Sequence, residues 1–138
     1  MKTIVVDTNI ILASLIPRHS SLRKTLLLDE GLKLYAPNFL ILETFLHKDA
    51  IFKKSKLNED EIYDFLNKIL QRINFVSEAL ISTENAFEGY YLCKETDEKD
   101  APFVALTLEL NGELWTNDKE LKLGLETKGF DRFFEPDF

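Results

Sequence analysis

Short apolar runs alternate with helical periods along the whole chain. Residues 3–7 contain the unbroken run Ile4-Val5-Val6, which is typical of a strand buried on both faces. The further predicted strands are residues 32–36, a brief strand or extended link at 74–76, residues 113–116, and an edge strand at Phe133-Phe134.

Seven helical segments separate or follow these strands. The clearest begins at Asn58, which with Glu61 resembles an N-cap pair, and the segment that begins at Asp100 is apolar on most faces and therefore expected to be central. Apolar residues repeat along one side of the Asn58 segment at Ile62, Phe65, Leu66, Ile69, Leu70 and Ile73. The other segments are Thr8–Leu15; Ser20 or Ser21 to near Gly31; one after Pro37-Asn38 with apolar Leu42, Phe45 and Leu46; Thr83–Glu95 with Phe87, Tyr90 and Tyr91 on one side; and Asn117-Asp118 to Gly129. The alternation predicts an α/β fold with a short, mostly parallel sheet of four to five strands covered by helices on both faces.

Length and composition bound the class of protein. The 138 residues are expected to form one domain spanning residues 1–138. No apolar run approaches the roughly 20 residues that cross a bilayer, and we expect no signal peptide, because Met1-Lys2 leads directly into the first strand. The single Cys93 excludes an intrachain disulfide and fits a reducing cytoplasm. With only two histidines besides, a metal site would need oxygen ligands, which suits Mg²⁺ or Mn²⁺.

The formal net charge of −7 argues against broad electrostatic affinity for nucleic acid, which requires cations that neutralise phosphates. It leaves room for a local basic rim. One positive stretch contains Lys48, Lys53, Lys54 and Lys56, and another contains Arg18, Arg23 and Lys24. Solvated helix faces are the simpler interpretation of both.

Acidic residues recur where predicted strands or loops meet helices. Asp7, Asp100 and Asp118 share this position, and Glu43 lies about two turns inside the third helix. Because the ends of parallel strands meet at one edge of a sheet, Asp7 and Asp118 can approach each other. Two carboxylates ~4 Å apart repel by ~4 kcal/mol at an effective dielectric near 20. A divalent cation would remove that cost, so the four acids together predict a metal site suited to phosphodiester hydrolysis.

Four short motifs resemble those of the PIN-domain nucleases, including the VapC-type toxin ribonucleases. They are Val5-Val6-Asp7-Thr8-Asn9, the helical Glu43, Asp100-Ala101-Pro102-Phe103-Val104-Ala105-Leu106, and Leu114-Trp115-Thr116-Asn117-Asp118. The motifs follow one another in order over essentially the whole chain. The resemblance implies a three-layer PIN-like sandwich and a ribonuclease of single-stranded RNA that depends on Mg²⁺ or Mn²⁺.

The resemblance also implies roles for particular residues. Asp7, Glu43 and Asp100 would hold the main metal, and Asp118 would complete the cluster. Asn9 would orient Asp7 or contact substrate. Thr116 would support the site through a hydrogen bond. The resemblance also implies that a separate cognate antitoxin binds the chain and that the chain forms a homodimer.

Simpler interpretations stand beside these roles. Asp7, Asp100 and Asp118 could each cap a helix, and Glu43 could be a solvated helix residue. Other residues also have two interpretations: Asp97, as a supporting carboxylate or a surface loop residue; His47, one turn beyond Glu43, as a phosphate contact or a surface histidine; and Phe130, Phe133, Phe134 and Phe138, as the closure of the sheet or a partner surface.

Three other functions compete with the nuclease. Haloacid-dehalogenase-like phosphatases need an aspartate two positions after the first, where this chain has Asn9. Receiver domains need a phosphoacceptor aspartate at the end of a central strand and a late lysine, and neither is evident. A catalytically silent PIN-like module that binds RNA or protein would be marked by lost acids, and all four are present.

Overall fold

A computed structural model describes residues 1–138. Four parallel strands form its only sheet: β1 (Lys2–Val6), β2 (Leu32–Pro37), β3 (Ile73–Val76) and β4 (Glu113–Trp115), in the spatial order β3-β2-β1-β4. The α/β class and the four-stranded parallel sheet are therefore confirmed. The predicted edge strand at Phe133-Phe134 is reduced to one bridge between Leu114 and Phe133.

Eight α-helices surround the sheet: α1 (Thr8–Ser14), α2 (Ser20–Leu28), α3 (Phe39–Leu46), α4 (Lys48–Lys54), α5 (Glu59–Arg72), α6 (Thr83–Cys93), α7 (Ala101–Leu110) and α8 (Lys119–Thr127). Seven match predicted segments. The eighth, α4, begins one residue after α3 ends, and His47 lies between them with φ −102° and ψ 4°. No helix is both long and apolar enough to cross a membrane.

The core lies on both faces of the sheet. Ile4, Val5 and Val6 of β1 are fully buried, as expected for a central parallel strand that helices cover on both faces. Helix α7 is buried continuously from Phe103 to Thr107, so its predicted central position is correct. It packs closely on α6, because a Cβ atom at Gly89 would lie 2.9 Å from the Ala101 carbonyl oxygen.

Two helix ends show how the sequence sets the boundaries. Asn58 accepts a hydrogen bond from the Glu61 N–H and donates its own backbone N–H to the Glu61 carboxylate, which forms a capping box at the start of α5. At the end of α7, Asn111 adopts φ 51°, a left-handed conformation that asparagine tolerates. The chain then enters β4 through Gly112, where a Cβ atom would lie 2.7 Å from the Thr3 carbonyl oxygen.

The aromatic tail lies along the free edge of β4. The Phe134 N–H donates to the Leu114 carbonyl, and the Leu114 N–H donates to the Arg132 carbonyl. Phe134 also packs edge-on against Trp115, with ring centroids 5.0 Å apart. Of the four tail aromatics, Phe138 alone is mostly exposed, so most of the tail covers the edge of the sheet.

The connections place a topological switch beside β1. From β1 the chain moves outward through β2 to β3, and it then returns to place β4 on the other side of β1. In open parallel sheets, ligands bind beyond the strand ends at such a switch. The ends of β1 and β4 carry Asp7 and Thr116-Asn117-Asp118, so the predicted acidic residues flank this position.

Candidate active site

Asp7 is held in place by its backbone and by one side chain. Its N–H donates to the Trp115 carbonyl at 3.0 Å, which continues the pairing of β1 with β4 beyond Val6. Its Oδ2 accepts a hydrogen bond from Thr116 Oγ1 at 2.7 Å. The residue is only 3% exposed, and its side chain forms no cap hydrogen bond to α1. The capping interpretation therefore does not explain why a carboxylate is buried here.

Glu43 lies close to the start of α1. It is the fifth residue of α3, so it lies one turn into the helix and not two as expected from the sequence. Its Oε1 accepts a hydrogen bond from Thr8 Oγ1 at 2.7 Å. Thr8 was not identified as a site residue from the sequence, although its place directly after Asp7 in the first turn of α1 was the available signal. This contact joins α1 to α3 at the switch.

Asp118 and Thr116 are linked at the end of β4. Thr116 Oγ1 accepts the Asp118 N–H at 3.1 Å, and Asp118 Oδ1 accepts the Leu121 N–H at 3.0 Å, which caps α8. The capping interpretation is correct for Asp118. The Thr116 hydroxyl thus binds both Asp118 and Asp7, and sets the spacing between the two acids.

Asp100 occupies the N-cap position of α7 without capping it. Its backbone is helical, with φ −79° and ψ −14°, whereas a capping residue has an extended backbone. The side chain forms no cap hydrogen bond and is partly buried. Asp100 is therefore a second acid of the cluster whose position its local structure does not explain.

Two acids of the cluster, Asp7 and Asp100, have raised pKa values. Burial raises the pKa of Asp7 from 3.8 to about 6, and the negative charges of Glu43 and Asp118 add to the shift. The hydrogen bond from Thr116 opposes this shift, and the nearby Asn9 N–H also lowers the pKa. Below pH 6 the buried Asp7 carboxyl is therefore mostly protonated.

Asp100 shifts further for the same reasons. Its pKa rises from 3.8 to about 7. Burial is the largest cause, and the negative charges of Asp7, Asp97, Asp118 and Glu43 raise it further. None of the chain's four salt bridges includes an acid of this cluster. The four acids thus crowd together electrostatically with no basic side chain to neutralise them.

Three other sequence candidates lie at the surface. Asn9 is exposed in the first turn of α1, and Asp97 is exposed with its Oδ1 accepting the Lys99 N–H. His47 is exposed between α3 and α4. Asp97 contributes to the site only through its charge near Asp100, which fits a loop residue better than a ligand.

Comparison with known proteins identifies the family. A family model described as PIN domain matches residues 5–134. The chain is a member of the PIN-domain family. PIN domains are nucleases as a class, so this chain belongs to a family of nucleases. A search of curated proteins finds no match.

A solved structure supports the fold of this PIN domain. It is the VapBC2 complex from Rickettsia felis bound to a DNA fragment from their promoter, with 17% sequence identity and a TM-score of 0.65. The alignment covers 88% of this chain and 92% of the other. At that identity the likeness shows that the two chains share a fold.

The PIN site fits a hard divalent cation in its donors and its charge. Carboxylate and hydroxyl oxygens line it, and such oxygens are what Mg²⁺ and Mn²⁺ prefer. Asp7 and Asp100 carry raised pKa values that a cation would lower again. No three acidic, histidine or cysteine side chains of the chain lie close enough together in this structure to hold an ion.

Proposed function

We propose that this PIN domain is a divalent-metal-dependent endoribonuclease that hydrolyses phosphodiester bonds of single-stranded RNA. One observation carries the proposal: Asp7 is buried, forms no cap and has no basic partner, while its charge is opposed by Glu43 and Asp118. A protein does not keep such a costly group for stability, and strongly shifted acids in one cluster mark functional sites.

The proposed metal ligands are Asp7, Glu43 and Asp100, with Asp118 completing the cluster through the oxygen that its cap leaves free. When bound, Mg²⁺ or Mn²⁺ acidifies a water molecule and stabilises the charge that develops on the phosphate. The protein's own part is to fix the ligands. Thr116 orients Asp7 and Thr8 orients Glu43 through hydrogen bonds of 2.7 Å.

Protonation of two proposed ligands, Asp7 and Asp100, sets a lower limit on the pH at which the enzyme would work. Asp7 and Asp100 must be ionised to bind a cation, and their raised pKa values hold protons on them below about pH 6 and pH 7. Asp7 and Asp100 would release any bound proton when a metal binds. Asn9 is exposed in the first turn of α1, which supports a contact with the substrate strand.

The test is cleavage of a labelled single-stranded RNA after all metal has been removed with a chelator and Mn²⁺ has been restored. We expect cleavage by the wild type with Mn²⁺, none without it, and loss of at least about a hundredfold in Asp7→Asn, the scale typical of removing a major electrostatic group. Asp131→Asn is the matched control, because Asp131 is exposed and lies outside the cluster. Equal cleavage by the wild type and Asp7→Asn would overturn the mechanism, and RNA binding without cleavage by the wild type would favour a silent binding module.

We further propose that the chain acts as the toxin of a toxin–antitoxin pair. Support comes from the shared fold with a VapBC2 chain and from an exposed apolar surface on α3, where Leu42, Phe45 and Leu46 are 55%, 50% and 69% exposed. Such a surface is typical of a protein-binding face, and the antitoxin or a second copy in a homodimer would cover it. Expression should arrest growth in the wild type and not in Asp7→Asn, and co-expression of a small protein encoded beside the gene should relieve the arrest. Equal toxicity of the two chains would contradict the proposal.

A further inference from the structure

Two basic segments that are far apart in the sequence line one cleft. Arg18 comes from the turn after α1, and Lys54 and Lys56 come from the end of α4 and the residues after it. With Ile16 and Pro17 they border an open cleft of about 410 Å³. The fold therefore joins one residue of the first positive stretch of the sequence to two residues of the second.

The cleft contains no compensating negative charge. The chain has 24 acidic and 17 basic residues. A cleft lined by three basic residues and no acidic residue is therefore not expected from the composition alone. Neither Arg18, Lys54 nor Lys56 takes part in any of the chain's salt bridges or cation–π contacts. The acids in the first turn of α5 are near in sequence, but none of them lines the cleft.

The helix dipole explains only part of this group. Lysines in the last turn of a helix are stabilising, which accounts for Lys54 at the end of α4. Lys56 lies beyond that helix and is exposed. Arg18 belongs to a separate short turn, and its only side-chain hydrogen bond is a long one of 3.4 Å to His19. Helix stability therefore gives no reason for the three charges to meet.

The cleft also has a fixed relation to the acidic cluster. Thr8 and Glu43 are joined by a hydrogen bond at the site, and from there α1 leads to Arg18 while α3 and α4 lead to Lys54. With about 1.5 Å of rise per helical residue and up to about 3.6 Å per residue in the breaks between helices, either path spans at most about 25 Å. That distance corresponds to a few nucleotides of an extended single strand.

We propose that the Arg18–Lys54–Lys56 cleft binds the phosphates of the RNA strand a few nucleotides away from the acidic cluster. This inference rests on the proposed ribonuclease function. The cluster repels the polyanionic substrate, and the net charge of −7 gives no general attraction. The cleft supplies the local attraction and holds the strand in register with the acids.

The test is binding of a labelled single-stranded oligouridylate by fluorescence anisotropy, in a chelator and between about 50 and 200 mM salt. Each phosphate contact on a single strand contributes about 0.7 to the slope of log affinity against log salt. Lys54→Gln/Lys56→Gln should therefore reduce the slope by about 1.4 and the affinity near 0.1 M salt by roughly ten- to thirtyfold. Lys33→Gln/Lys68→Gln removes the same charge from exposed positions elsewhere and should leave the slope unchanged.

An unchanged slope in Lys54→Gln/Lys56→Gln, or an equal loss in both double variants, would overturn the proposal. The proposal would also be overturned if Lys54→Gln/Lys56→Gln bound polyglutamate more weakly than the wild type but bound RNA equally well. The cleft would then bind an acidic peptide. Because binding is measured without metal, a wild type that binds through the cleft but never cleaves would contradict the ribonuclease and not the cleft. If the wild type cleaves RNA but Lys54→Gln/Lys56→Gln binds RNA with an unchanged salt slope, the result would contradict the cleft and not the ribonuclease.

Discussion

Replacing Asp7 with asparagine should stabilise the metal-free protein at neutral and alkaline pH. The pKa of Asp7 rises from 3.8 to about 6 on folding, a shift of about 2 units, and each unit corresponds to 1.36 kcal/mol. Ionised Asp7 therefore costs the fold up to about 3 kcal/mol. Asparagine has no charge, and its oxygen can still accept the Thr116 hydrogen bond.

The sign follows from proton linkage. A carboxyl with a raised folded-state pKa gives its full stability below the unfolded pKa of 3.8, and that stability is lost as pH rises through about 6. Asp7→Asn should thus match the wild type near pH 4. It should exceed the wild type by about 1–3 kcal/mol at pH 8, or about 3–5 °C in Tm per kcal/mol for a chain of this size.

The assay is urea unfolding in EDTA at pH 4 and pH 8. Asp131→Asn, at an exposed position, is the charge-matched control and should change the free energy of unfolding by less than about 0.5 kcal/mol at either pH. An Asp7→Asn protein that is less stable than the wild type at pH 8 would refute the reasoning. It would mean that the contacts made by the carboxylate outweigh its burial and repulsion.

The remaining predictions concern the metal, the Thr116 hydroxyl, pH and a remote cap. Saturating Mn²⁺ should raise the Tm of the wild type, and Asp7→Asn should lose most of that gain in a thermal melt. Thr116→Val should weaken Mn²⁺ affinity about ten- to a hundredfold in calorimetric titration, whereas Thr107→Val, which removes a buried hydroxyl bonded only within α7, should not. Cleavage at subsaturating Mn²⁺ should rise with pH as Asp7 and Asp100 ionise through about 6 and about 7. A pH–rate profile that is flat between about pH 5 and about pH 8 would contradict this prediction. Asn58→Ala should cost about 1 kcal/mol in urea unfolding and leave cleavage unchanged, because the capping box lies outside the acidic cluster.

Much of the fold was readable from local patterns. The apolar run of β1, the continuous burial of α7 and the Asn58–Glu61 capping box all follow from short-range signals. Helix α4 was missed because it begins only one residue after α3, and a break of one residue at His47 leaves no glycine or proline to mark it. The Phe133-Phe134 segment reads as a strand, but it meets β4 through a single bridge.

The site was readable in its members but not in their geometry. Each of the three aspartates precedes a helix: Asp7, Asp100 and Asp118. The sequence therefore cannot distinguish an acid that caps its helix from one that does not. The backbone decides: Asp118 is extended and caps α8, whereas Asp100 is helical and does not cap α7. Thr8 was missed because its contact with Glu43 spans 35 residues of sequence, and only the packing of α1 on α3 brings them together.

The exposed apolar residues show another limit of sequence patterns. Leu42, Phe45 and Leu46 mark α3 as a helix with apolar faces, yet all three are at least half exposed. Phe87 of α6 is 69% exposed although it also belongs to an apolar helical stretch. The sequence pattern identifies the apolar faces of a helix. It does not distinguish a face that binds another protein from one that packs on the core, because both have the same composition.

The most direct test of the acidic cluster as a metal centre is anomalous diffraction from a crystal soaked in Mn²⁺. We predict a manganese peak beside the carboxylates of Asp7 and Asp100, and no such peak in Asp7→Asn. A saturating soak that leaves these carboxylates without metal, in crystals of protein that still cleaves RNA, would contradict the proposed centre.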